Sequence, residues 1–231
     1  MIFGFSTGSL AKGDFHLALE MLRGHGLEAV ELSALREEEL PELLNALETL
    51  ELSEYKHVSI HAPSKLNVMK ELELITLLAP LSQPIVVHPD VIEQPENWKV
   101  LGARLLIENM DKRKPVGRTA SDLESIFSCL PEARLCLDVG HSKQVDPSLH
   151  ETSMILRQHG HRLAEIHLSE VNSASGHERL HRTAIEDFKR IASRIPPDVP
   201  VILETPIAAN EIEHEVSKAQ EIFGVLGLVR A

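Results

Sequence analysis

The chain has 231 residues, 43% hydrophobic and 25% charged, a balance that fits one soluble domain and excludes a disordered or collagen-like chain. A formal charge of −12 and only 3% aromatic residues argue against binding to duplex DNA or to stacked single-stranded bases. No apolar run approaches the roughly 18 residues that span a bilayer, and the opening MIFGFSTGSLAKGDF lacks a basic n-region, so a cytoplasmic protein without a membrane anchor is expected.

In chain order, short apolar runs alternate with helical patterns. The runs are Ile2–Ser6, Ala29–Leu32, His57–His61, Pro84–His88, Leu105–Glu108, Leu135–Asp138, Leu163–His167 and Val201–Glu204. They read as nearly continuous apolar stretches, as strands buried on both faces do. Ala29–Leu32 and Leu163–His167 are the weakest, each interrupted by a glutamate. Between the runs, Asp14 opens a helix closed by Gly24 and Gly26, and Leu40–Leu50 carries a leucine stripe. Ser121 with Glu124, and Asn210 with Glu213, have capping-box spacing. Pro196, Pro197 and Pro200 end the helix before the last run. The 231 residues divided among eight runs give about 29 residues per strand-plus-helix unit. This predicts an α/β chain, a (β/α)8 TIM barrel forming a single domain over residues 1–231, rather than an open doubly wound sheet, whose Gly-rich first loop GFSTGSL matches poorly. Cys129 and Cys136 are too few for a disulfide scaffold or a four-thiolate zinc site and are expected to be small buried residues.

A barrel of this type places its active site at the C-terminal ends of the strands. Reading the last residue of each run from the second onward gives Glu31, His61, His88, Glu108, Asp138, His167 and Glu204 once the second run is read at its glutamate. Charged groups are seldom buried unless paired or bound to metal, and nitrogen and carboxylate ligands without thiolate suit zinc, manganese or iron. A divalent-metal site of one or two ions is therefore expected, with Glu31 either lining the pocket or holding a neighbouring strand. His141 stands just beyond the sixth strand. Lys112, Arg113, Lys114 and Arg118 form a basic cluster after the fifth, read either as a subsite for a phosphate or carboxylate or as a solvated loop. The polar segment 169–181 would arch over the barrel mouth as a functional loop. His16, His25, His57, His150, His159, His161 and His214 are read as surface or packing residues.

The pieces SIHAP at His61, VVHPD at His88, IEN at Glu108, CLDVGH at Asp138 and His141, IHLSE at His167 and ILET at Glu204 together resemble the xylose isomerase-like barrel superfamily, which includes sugar isomerases and epimerases and endonuclease IV. The resemblance covers nearly the whole barrel. In the epimerase-like members it implies one Mn²⁺ or similar ion held by Glu108, Asp138, His167 and Glu204, with the two glutamates moving protons and His141 holding the sugar. In the endonuclease IV-like members it implies zinc ions, one held by His61 and His88, with Glu108 bridging to a second and His141 joining an Asp-x-His pair at a third. Here that loop reads Glu178-Arg179-Leu180-His181, so Glu178 and His181, or His177, stand in its place. The leading expectation is a metal-dependent isomerase or epimerase of a small sugar-like, phosphorylated or acidic substrate. Glu108, Glu204 and His141 would be catalytic, and Lys112, Arg113, Arg118, Glu178 and His181 would touch substrate. The alternatives are a two- or three-zinc phosphoesterase and a non-catalytic metal-containing binding protein. The sequence does not reveal an oligomeric state.

Overall fold

The computed structural model describes residues 1–225. Its strands are β1 (Phe3–Ser6), β2 (Ala29–Ser33), β3 (His57–His61), β4 (Ile85–Val87), β5 (Leu105–Glu108), β6 (Arg134–Asp138), β7 (Leu163–Leu168), β8 (Glu170–Val171), β9 (His177–Glu178) and β10 (Val201–Leu203). Eight of them close a barrel in the order β1-β10-β7-β6-β5-β4-β3-β2, every neighbouring pair parallel. The remaining two, β8 and β9, form an antiparallel hairpin in the loop after β7. This is the expected (β/α)8 barrel. Each expected run lies on one barrel strand, with ends differing by at most one residue. His88 and Glu204 lie one residue beyond β4 and β10.

Side chains alternate across each strand, so one set faces the helices and the other the barrel axis. Val30, Leu32, Ile60, Ile85, Val87, Ile107, Leu135, Leu137 and Ile166 join the large core packed under the helices. Val86, Leu106 and Cys136 form a separate small cluster inside the barrel. Bulky branched residues normally fill such an interior. Here much of it is polar, with Glu31, Ser59, Glu165 and His167 fully buried.

The helices follow local chemistry, with four departures from expectation. Asp14 caps Phe15–Leu22 as expected, its carboxylate accepting from the Leu17 N–H at 2.9 Å. The helix Leu40–Ala46 ends before Leu50, because the Thr49 amide and hydroxyl both donate to the Ala46 carbonyl and close a turn. The capping box of Ala120–Cys129 is Thr119 with Asp122, two residues earlier than Ser121 with Glu124. The last helix, Ile212–Phe223, is entered through Glu211, whose carboxylate accepts from the Ala208 N–H, rather than through Asn210 and Glu213. Cys136 is buried as expected, whereas Cys129 is exposed at the last turn of its helix. Among the described residues no helix is long and apolar enough to cross a membrane.

Candidate metal centre

Glu108 stands at the middle of the barrel mouth with 1% of its side chain exposed. Its two oxygens face different partners. Oε2 lies 3.2 Å from His61 Nε2 and 3.0 Å from His88 Nε2. Oε1 lies 3.2 Å from His141 Nδ1 and 3.6 Å from His167 Nδ1. His167 Nδ1 in turn lies 3.4 Å from Glu204 Oε2. The β-strand ends at these positions converge because the barrel is closed, which brings strands far apart in sequence onto one ring.

Among the described residues four groups of metal-ligating side chains result, each with ligand atoms within 4.8 Å of one another: Glu108, Asp138, His167 and Glu204; His61, His88 and Glu108; Asp138, His141 and His177; and Cys136, Glu165 and His167. Glu108, Asp138 and His167 are each shared by two groups. In the first group, Asp138 Oδ2, His167 Nδ1 and Glu204 Oε2 are buried without a hydrogen-bond partner. Such orphaned atoms carry a desolvation cost that a cation at their centre would offset. The donor set, imidazole and carboxylate, is one that divalent metals accept. The residues therefore fit a metal.

Electrostatics point the same way. Burial disfavours a charged His61, but Glu31 and Glu108 outweigh it and lift its pKa to about 9. Burial likewise opposes His141, yet Asp138, Glu108 and Glu204 lift it to about 10. Burial pushes Asp138 up to about 8, with Glu204 and Glu108 adding to it against the pull of His141. Burial would raise Glu108 too, but His88, His141, His167 and His61 hold it well below the usual carboxylate range. In the metal-free protein His61, His141 and His167, all shifted up, thus neutralise crowded carboxylates by holding protons, a role a divalent cation can take over, whereas burial pushes His88 and His177 down.

Local structure fixes these side chains. Asp138 Oδ1 caps the helix Val139–Val145 by accepting from the His141 N–H at 2.6 Å, which aims His141 back at the ring. The Asn109 side chain clamps the Asp138 backbone, donating to its carbonyl and accepting from its N–H, both at 2.8 Å. Gly140 permits the close approach of this helix to the β7 loop, since a Cβ there would lie 2.6 Å from the Ser169 carbonyl oxygen. The hairpin β8–β9 carries His177 over the mouth. Its turn is held by Asn172 Oδ1, which accepts from Ala174 and Gly176 N–H groups, and by Gln144, which donates to the Asn172 carbonyl. His177 Nδ1 pairs with Ser169 Oγ at 2.8 Å and lies 3.6 Å from Glu204 Oε2.

The structure brings together His61, His88, Glu108, Asp138, His141, His167 and Glu204 of the expected residues, and of the loop candidates it adds His177 rather than Glu178 or His181. Glu178 and His181 lie elsewhere. Glu178 accepts from the Asn172 side chain, and His181 pairs with Glu170 at 2.9 Å with 59% of its side chain exposed. The basic cluster is largely committed. Arg113 pairs with Asp111 and donates to the Ser175 carbonyl, tying the β5 loop to the hairpin, and Lys112 is exposed. Lys114 pairs with Asp90 at 2.6 Å beside His88. Arg118 has a buried Nε without a partner.

Sequence reasoning left Glu31 between lining the pocket and holding a strand, and missed its neighbours in the layer beneath the ring. Glu31 and Glu165 both face the far nitrogen of His167, at 3.0 Å and 3.1 Å from Nε2. His57, read as a surface or packing residue, pairs through Nε2 with the other oxygen of Glu165. The usable signal was the strand period: Glu165 stands two residues before His167, and His57 four before His61, so each faces inward with its partner.

No protein-family model matches the chain, and no curated protein sequence matches it. Solved structures do. A putative sugar phosphate isomerase/epimerase from Anabaena variabilis aligns over 96% of this chain and 99% of its own at 14% identity, with a TM-score of 0.57. The 3-keto-D-glucoside 4-epimerase of E. coli aligns over 96% and 98% at 12% identity, with a TM-score of 0.55. A xylose isomerase-like TIM barrel protein from Mycobacterium smegmatis, solved in complex with magnesium, aligns over 95% and 92% at 14% identity, with a TM-score of 0.53. The chain has the fold of the xylose isomerase-like TIM barrels.

Proposed function

We propose that the protein is a divalent-metal-dependent isomerase of a small sugar-like substrate. The observation that carries this reading is the group Glu108, Asp138, His167 and Glu204, with three orphaned ligand atoms facing one another at the mouth of the barrel. The fold shared with a 3-keto-D-glucoside 4-epimerase and a putative sugar phosphate isomerase/epimerase supports the same class. A bound zinc or manganese ion would polarise a substrate carbonyl, which acidifies the neighbouring C–H.

This chain's own residues divide the remaining work by exposure. The Glu204 side chain is 11% exposed and opens to the mouth, whereas those of Glu108 and Asp138 are 1% and 0% exposed. Glu204 is the carboxylate a substrate reaches, so it takes the proton from carbon and returns it to the adjacent carbon, while the hydroxyl proton on the first carbon passes to the former carbonyl oxygen. Glu108, expected to share that task, is enclosed by four imidazoles with 1% of its side chain exposed, out of a substrate's reach, and serves ligation instead. One reachable base fits isomerisation, which moves a proton along one face; epimerisation by proton exchange calls for groups on two faces. His141 and His177 border the same space and hold substrate hydroxyls. Arg118, with its unpartnered Nε, and the exposed Lys112 are the donors of the basic cluster left to meet an acidic group on the substrate.

A second reading, multi-metal phosphoester hydrolysis, is favoured by one observation: His61 and His88 share Glu108 Oε2 while the His141 and His167 side faces Oε1, the arrangement of a bridging carboxylate. The two readings separate in one experiment. The metal-loaded protein is incubated in D2O with a panel of aldose and ketose phosphates. Isomerisation predicts deuterium entering a C–H position, abolished in Glu204→Gln, without phosphate release. Phosphate release without deuterium entry would overturn it in favour of hydrolysis.

A further inference from the structure

The barrel interior contains a link that the ring itself does not require. Glu165 on β7 is fully buried, and each of its oxygens meets an imidazole: Oε1 lies 3.1 Å from His167 Nε2, and Oε2 lies 2.5 Å from His57 Nε2. In the barrel order β1-β10-β7-β6-β5-β4-β3-β2, strands β7 and β3 are four places apart, which is diametrically opposite. The Glu165–His57 contact therefore crosses the whole width of the barrel. His57 begins β3, with 17% of its side chain exposed, while His61 ends β3 at the ring. The link thus runs from the N-terminal end of the barrel to the underside of His167.

Apolar side chains would fill this layer at lower cost, since a buried carboxylate loses its hydration. Packing alone gives no reason for Glu165. Its position against His167 does. The ring side of His167 is Nδ1, facing Glu108 and Glu204, and its underside is Nε2. A carboxylate on the far nitrogen of a metal-ligating histidine fixes the ring orientation and the tautomer that leaves the near nitrogen free to bind. We infer that Glu165, braced across the barrel by His57, is a positioning residue that holds His167 with Nδ1 turned to the metal, supplementing Glu31 at the same Nε2. The inference rests on the metal-centre reading above. His57 acts only through Glu165, and Glu165 only through His167.

The test is Zn²⁺ affinity of the full chain, by competition with a chromophoric chelator, beside the melting temperature of the metal-free protein. Glu165→Leu keeps volume without charge, and Glu165→Gln serves should Leu fail to fold. Each is expected to bind Zn²⁺ about 10–100-fold more weakly than wild type. Adding His57→Leu to Glu165→Leu should weaken binding no further. A merely structural role would lower the melting temperature and leave the affinity in place. Affinities of both Glu165 variants within about threefold of wild type, alongside weak binding in Glu204→Gln, would overturn the positioning role and leave the metal centre standing. Wild-type affinity in Glu204→Gln would instead overturn the metal-centre reading, and the positioning role with it.

Discussion

Replacing Asp138 in two ways separates the folding task of this side chain from its metal task. Oδ1 caps the helix Val139–Val145 through the His141 N–H, while Oδ2 is the orphaned atom turned to the ring. Asp138→Asn keeps an acceptor for the cap and removes the charge. Asp138→Ala removes both. Loss of a cap costs about 1 kcal/mol, which for a chain of this size lowers the melting temperature by about 2–4 °C. The metal-free Ala variant should therefore melt about 2–4 °C below wild type, and the Asn variant close to it. Metal reports the other task. At a free concentration 100 times the dissociation constant, binding stabilises the wild type by about 2.7 kcal/mol, or about 5–11 °C at the same conversion. A 100-fold weaker site at that concentration gains only about 0.4 kcal/mol, or about 1–2 °C. The assay is circular dichroism melting in EDTA and again in buffered Zn²⁺. An Asn variant that keeps the full wild-type upshift would refute the assignment of Asp138 as a ligand.

Three further outcomes follow from the same geometry. In the metal-free protein, His61 and His141 have pKa values raised from 6.5 to about 9 and about 10, so their contribution to stability is fully present below pH 6.5 and is lost as pH rises through those values. Melting temperature in EDTA should fall between pH 7 and 10, and a flat or rising profile would contradict this. Thr119→Ala should cost about 1 kcal/mol and Ser121→Ala almost nothing, read by urea unfolding; the reverse order would return the cap to Ser121. His177→Ala should leave the metal-free melting temperature within about 2 °C of wild type while weakening substrate binding, measured as a raised KM.

The ring was legible because it obeys two simple periodicities. A barrel strand ends where its apolar run ends, and inward side chains recur every second residue. His61, His88, Glu108, Asp138, His167 and Glu204 follow from that alone. The residues that escaped are those whose partners lie across the barrel. Glu165 interrupts an apolar run, and only the closed sheet reveals His57 and His167 at its two oxygens. The basic cluster shows the converse. Arg113 and Lys114 read as free cations, yet Asp111 and Asp90 meet them in the fold. The sequence offered His177 only as an alternative to Glu178 and His181, and the hairpin β8–β9, whose two-residue strands carry too little pattern to locate from sequence, decides for His177. The misplaced caps have a related cause, since Thr119–Asp122 and Ser121–Glu124 satisfy the same spacing and only the backbone decides between them.

The central claim is that the mouth of the barrel holds a divalent metal. The direct measurement is metal content per chain by elemental mass spectrometry, on untagged protein reconstituted with zinc or manganese and then desalted, for the wild type, Asp138→Asn and a His61→Ala/His88→Ala double variant. At least one equivalent is expected in the wild type and a loss in Asp138→Asn. If the double variant then holds one ion fewer than wild type, the Glu108-bridged pair is established; an equal count assigns His61 and His88 to orienting Glu108. A wild type that retains no metal under any of these loadings would contradict the account.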